Sequence, residues 1–209
     1  MAYVLSHSKL KILEECPKCF WLSVVKNVTR PSIPSATILI KLDNIIKKYF
    51  DEHRNEGKLP PIIDEVIDCR LAKNIPTTLY SKEDENIVLM GILDECLEFN
   101  DGTIAVLDHK TSSMPPKRVH PVYKLQLDIY MYLLERNGYK TANKAFLAYY
   151  YPNYSELHNG LKIKCKIMEI IPDKLKVIEV LGRAKEVLNG PMPNSGKDCK
   201  FCRWAYMSI

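Results

Sequence analysis

The sequence lacks any long uninterrupted run of apolar residues. Its apolar stretches, such as residues 38–40 and 87–93, are short and bounded by charged or polar side chains. None of them approaches the roughly 20 residues that a membrane-spanning helix needs. Residues 1–13 also lack the continuous apolar core and the small-residue cleavage site of a secretory signal. We therefore expect no membrane association and a cytoplasmic location.

The sequence also has no internal repeat and no low-complexity tract. Its 209 residues suffice for one sizeable core and are too few for two full-sized enzyme domains. Hydrophobic residues make up 46% and charged residues 26%, a balance typical of folded globular proteins. A net charge of +5 is compatible with a polyanionic partner without requiring one. We expect a single domain over residues 1–209.

Hydrophobic periodicity predicts both helices and strands. Helical spacing of apolar residues predicts helices over 8–25 (interrupted at Pro17), 38–54, 119–136 and 172–188. Dense aliphatic and aromatic runs predict strands over 86–99, 103–111, 144–151 and 162–171. The residues between these elements are expected to be a short helical or irregular piece at 62–72, a hairpin turn at 100–102 and a loop at 190–196. This order predicts an α/β fold with a central mixed sheet flanked by helices.

Two strands carry the residue types of a divalent-metal site. Asp94 lies in the first hairpin strand, and Asp108 and Lys110 end the second. Residues two apart in a strand share a face, so Asp108 and Lys110 point toward one pocket. Two carboxylates without soft ligands favour Mg²⁺ or Mn²⁺, and a lysine beside a metal-bound water can assist phosphodiester hydrolysis. On spacing alone, solvated charges at the end of a strand are the alternative.

The segments GILDECLEF, NDG, AVLDHKTSS and QLDIYMYLL resemble the core of the PD-(D/E)XK nucleases, in their RecB-like exonuclease branch. The resemblance implies that Asp94 and Asp108 bind metal and that Lys110 is catalytic. It also implies that Gln126 and Tyr130, a Q-x-x-x-Y motif on the following helix, line the site and contact DNA. The alternative for this pair is an exposed glutamine and a core tyrosine.

The resemblance also implies a restriction-endonuclease-like core, with residues 86–151 as its catalytic part. RecB-like members often have an upstream helical histidine that helps to hold the metal, and residues 38–50 contain none. Asp43 occupies a plausible equivalent place and is a third candidate ligand for Mg²⁺ or Mn²⁺. A solvated carboxylate on the face of a helix is the alternative for Asp43.

The seven cysteines point to metal ligation or burial, because a cytoplasmic protein seldom has a disulfide framework. Four of them form two C-x-x-C pairs, Cys16 with Cys19 and Cys199 with Cys202. Four thiolates serve either tetrahedral Zn²⁺ or a [4Fe–4S] cluster, and paired C-x-x-C motifs favour zinc. The other three are expected to be buried hydrophobes: Cys69, Cys96 and Cys165.

The segment SHSKLKILEECPKCFWL resembles the amino terminus of RecB-like nucleases that carry an iron–sulfur cluster, including CRISPR-associated members. Those proteins supply one cysteine near the amino terminus and three near the carboxyl terminus. This sequence departs from that pattern, because its last cysteine place falls near Ser208, so Cys19 is the candidate replacement. The cluster, zinc and no metal at all stay open as alternatives. Either metal would join residues 1–30 and 190–209 in one metal-site appendage.

Together these features predict a Mg²⁺- or Mn²⁺-dependent deoxyribonuclease. The resemblance implies an exonuclease or a single-strand or flap nuclease in DNA repair, recombination or CRISPR adaptation, with a helicase or integrase partner by analogy. Candidate phosphate-binding residues before and within the Q-x-x-x-Y helix are Lys117, Arg118 and Lys124. The alternatives are a non-catalytic nucleic-acid-binding module and a small zinc-binding structural or partner-docking protein.

Overall fold

The computed structural model describes residues 2–31, 36–63, 69–153, 158 and 160–207. The helices are α1 (His7–Glu15), α2 (Pro17–Val25), α3 (Thr37–Glu56), α4 (Pro121–Arg136), α5 (Lys174–Asn189) and α6 (Lys200–Met207). The strands are β1 (Tyr3–Ser6), β2 (Cys69–Leu71), β3 (Thr78–Lys82), β4 (Ile87–Ile92), β5 (Glu95–Phe99), β6 (Ile104–Thr111), β7 (Ala145–Pro152) and β8 (Ile163–Ile170). Within the described ranges, no helix is long and apolar enough to cross a membrane.

The strands form two sheets. The larger has the order β2-β5-β6-β7-β8, and only its β6–β7 pair is parallel. The smaller has the order β1-β4-β3, with β1 parallel and β3 antiparallel to β4. Both sheets are therefore mixed, and helices pack against them. The expected mixed α/β architecture is confirmed, with the strands divided between two sheets.

Apolar side chains cover both faces of the five-stranded sheet. Alternate residues of β6 belong to different clusters: Val106 faces the one that includes α1, α4 and α5, and Leu107 faces the one that includes α3. Because side chains alternate along a strand, Asp108 and Lys110 share the face of Val106, whereas His109 shares that of Leu107. Helix α4 contacts both sheets, so the face that carries Asp108 is also the face that meets α4.

The prediction of one strand over residues 86–99 was wrong. The chain leaves the smaller sheet after Ile92 and enters the larger one at Glu95, so Leu93 and Asp94 form a junction between two strands. Both strands are apolar because both are largely buried, and composition therefore does not reveal the break. The junction places Asp94 between the two sheets.

Several short elements escaped the sequence analysis. The piece at 62–72 is a 3₁₀ turn at Pro61–Ile63 followed by β2, with residues 64–68 outside the described part of the chain. Strands β1 and β3 were also missed, because four or five residues hold too few periods for a pattern. Helix α6, which follows the predicted loop at 190–196, was also missed. It has only eight residues, which is too short for a clear periodic pattern.

The predicted long helices are confirmed, and their ends follow local chemistry. The expected break at Pro17 separates α1 from α2, and Cys16 caps α2 by accepting from the backbone N–H of Cys19. Helix α3 ends at Gly57, whose φ of 72° is left-handed and favours glycine. Asp173 caps α5 by accepting from the N–H of Lys176. The hairpin turn between β5 and β6 includes Gly102 at φ 76°, as the N-D-G signal predicted.

Candidate active site and cysteine cluster

Asp94 is held at the junction between β4 and β5. Its Oδ2 accepts a hydrogen bond of 3.1 Å from the backbone N–H of His109 in β6. This bond ties the junction to β6. It holds the Asp94 carboxylate beside the backbone of His109, the residue that follows Asp108. About a fifth of the Asp94 side chain, 21%, remains exposed, so the carboxylate is open to solvent on one side.

Asp108 is almost fully buried in β6. Its Oδ1 accepts a hydrogen bond of 2.8 Å from Gln126 Nε2, and its Oδ2 contacts the Lys110 ammonium. Burial raises the pKa of this carboxyl to about 6, the charge of Asp94 adds to the increase, and Lys110 opposes it. A buried acid beside a second acid is an unfavourable arrangement that a bound cation would relieve.

Lys110 lies on the same face of β6 as Asp108, as the spacing predicted. Its ammonium contacts the Asp108 carboxylate and lies 4.9 Å from the centre of the Tyr123 ring. Tyr123 in turn packs edge-to-face against Tyr149 of β7, with 6.3 Å between ring centres. The carboxylate and the aromatic ring therefore restrict the ammonium to one region of the pocket.

The two residues of the Q-x-x-x-Y motif meet the acidic pair from α4. Gln126 Nε2 is shared between Asp108 Oδ1 at 2.8 Å and the Tyr130 hydroxyl at 3.0 Å. Burial raises the pKa of Tyr130 to about 12, so its hydroxyl keeps its proton at neutral pH. The structure thus brings five of the predicted site residues into one cluster: Asp94, Asp108, Lys110, Gln126 and Tyr130.

Gly91 permits α4 to approach β4 this closely. A methyl group built on Gly91 would lie 2.6 Å from Leu133 Cδ1 and 3.0 Å from Tyr130 Cδ1. These distances are below ordinary van der Waals contact, so a side chain here would force Leu133 and Tyr130 of α4 to shift. Gly91 stands three residues before Asp94, and the sequence analysis did not assign it a role.

Helix α3 contributes Asp43 and a lysine that the sequence analysis missed. Lys47 Nζ lies 2.8 Å from Asp43 Oδ2 and 3.8 Å from Asp94 Oδ1. Asp43, one helical turn before Lys47, therefore reaches the site through this shared ammonium. The pKa of Lys47 is raised, first by its hydrogen bond to Asp43 and further by the charges of Asp94 and Asp108. An i, i+4 pair on the face of a helix was the available signal.

The opposite face of β6 carries a buried polar network. The His109 ring lies between Phe50 and Tyr150. A hydrogen bond of 3.1 Å joins its Nδ1 to the Tyr150 hydroxyl. Its Nε2 lies 3.8 Å from the buried carboxylate of Glu95, which contacts Arg54 of α3. This network supports β6 on the face opposite the acidic pair, where His109 packs away from Asp108 and Lys110.

His7 links α1 to the start of α4. Its Nε2 lies 3.1 Å from the carbonyl oxygen of Val122, and the ring is partly buried. Burial lowers the pKa of His7 to about 4, and the charge of Lys110 adds to this effect. The neutral ring therefore donates to Val122 near pH 7 and anchors the helix that carries Gln126.

The predicted phosphate-binding residues differ in their surroundings. Lys117 and Arg118 are exposed in the loop between β6 and α4. Lys166 Nζ holds this loop by donating 3.0 Å to the carbonyl oxygen of Pro116. Lys124 Nζ lies 3.1 Å from both carboxylate oxygens of Asp128, so its charge is already compensated within α4.

The two C-x-x-C pairs meet in a second cluster. The Sγ atoms of Cys16, Cys19, Cys199 and Cys202 all lie within 4.8 Å of one another. All four side chains are buried, whereas Cys69 and Cys165 are only half buried, in contrast to the expectation for them. Cys96 is buried as expected. The four-cysteine set could bind a metal ion, and it connects the start of α2 to the start of α6.

The acidic cluster and the cysteine cluster offer different donors. Asp94, Asp108 and Asp43 present carboxylate oxygens, which suit hard cations such as Mg²⁺ and Mn²⁺. The cysteines present sulfur, which suits zinc or iron. At the acidic cluster, the buried Asp108 carboxyl lies near the negative charge of Asp94, and a divalent cation would relieve this repulsion. The residues of the acidic cluster therefore fit a divalent cation.

Comparisons with known proteins identify the fold family. A family model described as the PD-(D/E)XK nuclease superfamily matches residues 38–207. Members of this superfamily are generally metal-dependent nucleases that cleave phosphodiester bonds. The crystal structure of SSO0001 is 16% identical and has a TM-score of 0.49, over 99% of this chain and 86% of that one. The curated proteins contain no match.

Proposed function

Because the chain belongs to the PD-(D/E)XK nuclease superfamily, we propose that it is a deoxyribonuclease that uses Mg²⁺ or Mn²⁺. The observation that carries the proposal is the cluster of Asp94, Asp108 and Lys110, completed by Gln126 from α4. Residues 1–209 act as one nuclease domain in this proposal.

Asp94 and Asp108 would hold the cation, with Asp43 within reach of the same place through the Lys47 contact. When bound, the cation supplies charge neutralisation to the scissile phosphate and lowers the pKa of a water molecule. Hard cations keep open positions for water and phosphate oxygens, and the exposed side of Asp94 leaves room for them.

Lys110 supplies a positive charge where negative charge develops on the phosphate. Its ammonium is held between Asp108 and the Tyr123 ring, so little reorganisation is needed when substrate binds. This preorganisation is the physical reason for assigning Lys110 the catalytic role.

Gln126 and Tyr130 position the metal-binding carboxylate. The amide of Gln126 donates to Asp108 Oδ1 and holds one carboxylate orientation. Tyr130, which stays protonated at neutral pH, accepts from the same amide and keeps its own proton to donate. Together they act on the carboxylate and offer contacts to a DNA strand that enters the site.

Two features are compatible with a polyanionic nucleic-acid substrate. The net charge is +5, and Lys117 and Arg118 are exposed in the loop between β6 and α4. Phosphate contacts of this kind hold a backbone without reading its sequence. Exonucleolytic or single-strand and flap cleavage, in repair, recombination or CRISPR adaptation, is the proposed activity.

The test is cleavage of single-stranded, duplex and flap DNA, labelled at either end, with matched RNA strands as the comparison. Asp108→Ala and Lys110→Ala are compared with Lys185→Ala, a surface variant that removes a pair with Asp84. Metal-dependent cutting of DNA that only the first two variants lose supports the proposal, and the label reports polarity. Binding without cutting by the folded wild type overturns it in favour of a non-catalytic module.

A further inference from the structure

The four cysteine sulfurs lie close together, all within 4.8 Å of one another. The sulfur–sulfur distance is 3.5 Å for Cys19–Cys202, 3.6 Å for Cys19–Cys199 and 3.8 Å for Cys16–Cys202. A single Zn²⁺ with Zn–S bonds of about 2.3 Å requires sulfur–sulfur edges of about 3.8 Å. Three of the six separations lie close to that value, and all six are at most 4.8 Å.

A [4Fe–4S] cluster does not fit the same four positions. In a cubane each thiolate binds a different iron, and an iron atom lies between every sulfur and the cluster centre. The four cysteine sulfurs must therefore stand much farther apart than around a single ion. All four sulfurs here lie within 4.8 Å of one another.

The packing of the loop before α6 resists such an expansion. Gly196 lies so close to Cys16 that a methyl group on it would be 2.5 Å from the Glu15 carbonyl oxygen. Its backbone N–H also donates to Cys16 Sγ at 3.1 Å. Spreading the sulfurs would break this contact and separate the two chain segments.

Both cysteine pairs lie at the amino-terminal end of a helix. The carbonyl of Cys16 accepts from Phe20 N–H at 3.1 Å, and that of Cys199 accepts from Arg203 N–H at 3.0 Å. Each pair therefore opens a helix, α2 or α6, whose amino-terminal dipole favours thiolates.

Hydrogen-bond donors partly offset the charge of four thiolates around a divalent ion. The N–H groups of Cys19 and Gly196 donate to Cys16 Sγ, and Arg30 Nη2 lies 3.8 Å from Cys199 Sγ. Such outer contacts fix the ligands and tune the bound metal. All four ligand positions are filled by buried protein sulfur, which is the arrangement of a structural site.

The geometry points to one tetrahedral Zn²⁺ bound by Cys16, Cys19, Cys199 and Cys202, in place of a [4Fe–4S] cluster. This ion joins the start of α2 to the start of α6 and has no open position for substrate. The inference concerns the fold of the protein and does not depend on nuclease activity.

The test is metal analysis of the full chain purified anaerobically from cells supplied with both iron and zinc. We expect one zinc per chain, no acid-labile sulfide and X-ray absorption that shows four sulfur neighbours around zinc. Apoprotein given iron and sulfide should form no stable cluster, and Co²⁺ should give the absorption of tetrahedral thiolate coordination. Roughly four iron and four sulfide per chain, in a chromophore that zinc does not displace, would overturn the inference.

Two variants separate the site from general effects of cysteine loss. Cys202→Ser should lose zinc, whereas Cys69→Ser, outside the cluster, should retain it. If Cys202→Ser fails to fold, thiol titration of the wild type gives the same information. The four thiols should be protected until a chelator removes zinc, and equal reactivity before and after chelation contradicts a bound ion.

Discussion

The two candidate metal sites differ in donor type, in exposure and in the segments that build them. The acidic site takes oxygen donors from a strand junction, from β6 and from α3, and it stays open on the side of Asp94. The cysteine site takes four buried sulfurs from two segments far apart in the chain, and protein fills every position. An open oxygen site suits catalysis and a closed sulfur site suits structure. The comparison therefore predicts that changes at one site affect activity and changes at the other affect stability.

The largest expected effect is on folding. Cys202→Ser should lower the free energy of unfolding by at least about 5 kcal/mol, because loss of the ion also removes the tie between α2 and α6. Thermal denaturation monitored by circular dichroism measures the change, with Cys69→Ser as the control. A melting temperature equal to that of the wild type would contradict a structural role for the cysteine site.

The next effect is on catalysis. Lys110→Ala should reduce kcat by about 10²- to 10³-fold, because it removes a preorganised charge from the site of phosphate chemistry. Zinc content should not change, because Lys110 lies outside the cysteine cluster. Rates are compared per folded molecule, because loss of the ammonium leaves the buried Asp108 carboxylate without its ion pair. Initial rates with saturating DNA test this, and a variant that cuts as fast as the wild type would remove Lys110 from the mechanism.

Asp108→Asn should stabilise the metal-free protein at neutral pH. The folded protein holds the Asp108 proton more tightly than the unfolded chain, since burial raises the pKa from 3.8 to about 6. The stability contributed by this carboxyl is therefore full below pH 3.8 and is lost as the pH rises through about 6. Each tenfold change in acidity corresponds to about 1.4 kcal/mol, so metal-free Asp108→Asn should gain on the order of 3 kcal/mol at neutral pH.

Melting temperatures of metal-free wild type and Asp108→Asn across this pH range check the sign. The advantage of the variant should grow between pH 3.8 and about 6 and level off above. Asp101→Asn should show the opposite trend, because a hydrogen bond from Thr103 lowers the pKa of the Asp101 carboxyl. An advantage that shrinks with rising pH would mean that the carboxylate is stabilised in the fold.

Gly91→Ala should cost about 1 to 3 kcal/mol of stability and lower activity as well, because the added methyl group overlaps Leu133 and Tyr130. Displacement of α4 would weaken the Gln126 contact to Asp108. Gly182→Ala is the matched control, since a methyl group there meets nothing within 4 Å. Denaturant unfolding and cleavage rates report the two effects, and an unchanged rate would show that α4 tolerates the displacement.

The smallest effect is expected at Lys47. Lys47→Met should raise KM for DNA several-fold with a smaller change in kcat, because a 47% exposed ammonium is worth about 1 kcal/mol or less. Lys48→Met removes a neighbouring, more exposed lysine on α3 and is the control. If the two variants behave alike, Lys47 has no specific place in the site.

The sequence predicted which residues of the candidate site lie together better than it predicted the architecture around them. Asp108, Lys110, Gln126 and Tyr130 follow strand and helix periodicity, so local spacing suffices to place them on shared faces. The roles of these residues remain predictions. The position of Asp94 at a junction between two sheets depends on pairing with β1 and β6, which no local pattern encodes.

Residues whose role arises from distant packing were missed. Lys47 becomes part of the site only because α3 lies beside the junction, and Gly91 matters only because α4 crosses β4. Short strands such as β1 and β3 are stabilised by their partners and have little pattern of their own. The cysteine pairs were found because C-x-x-C spacing is a local signal, even though the pairs lie far apart in the chain.

The most direct measurement is the cleavage rate of single-stranded DNA per zinc-loaded, folded molecule, with and without added Mn²⁺, for the wild type and Lys110→Ala. The account predicts cutting by the wild type only with Mn²⁺ and a loss of about 10²-fold or more in the variant at equal zinc content. Cutting that persists without added Mn²⁺ or survives in Lys110→Ala would contradict an acidic catalytic site separate from the structural cysteine site.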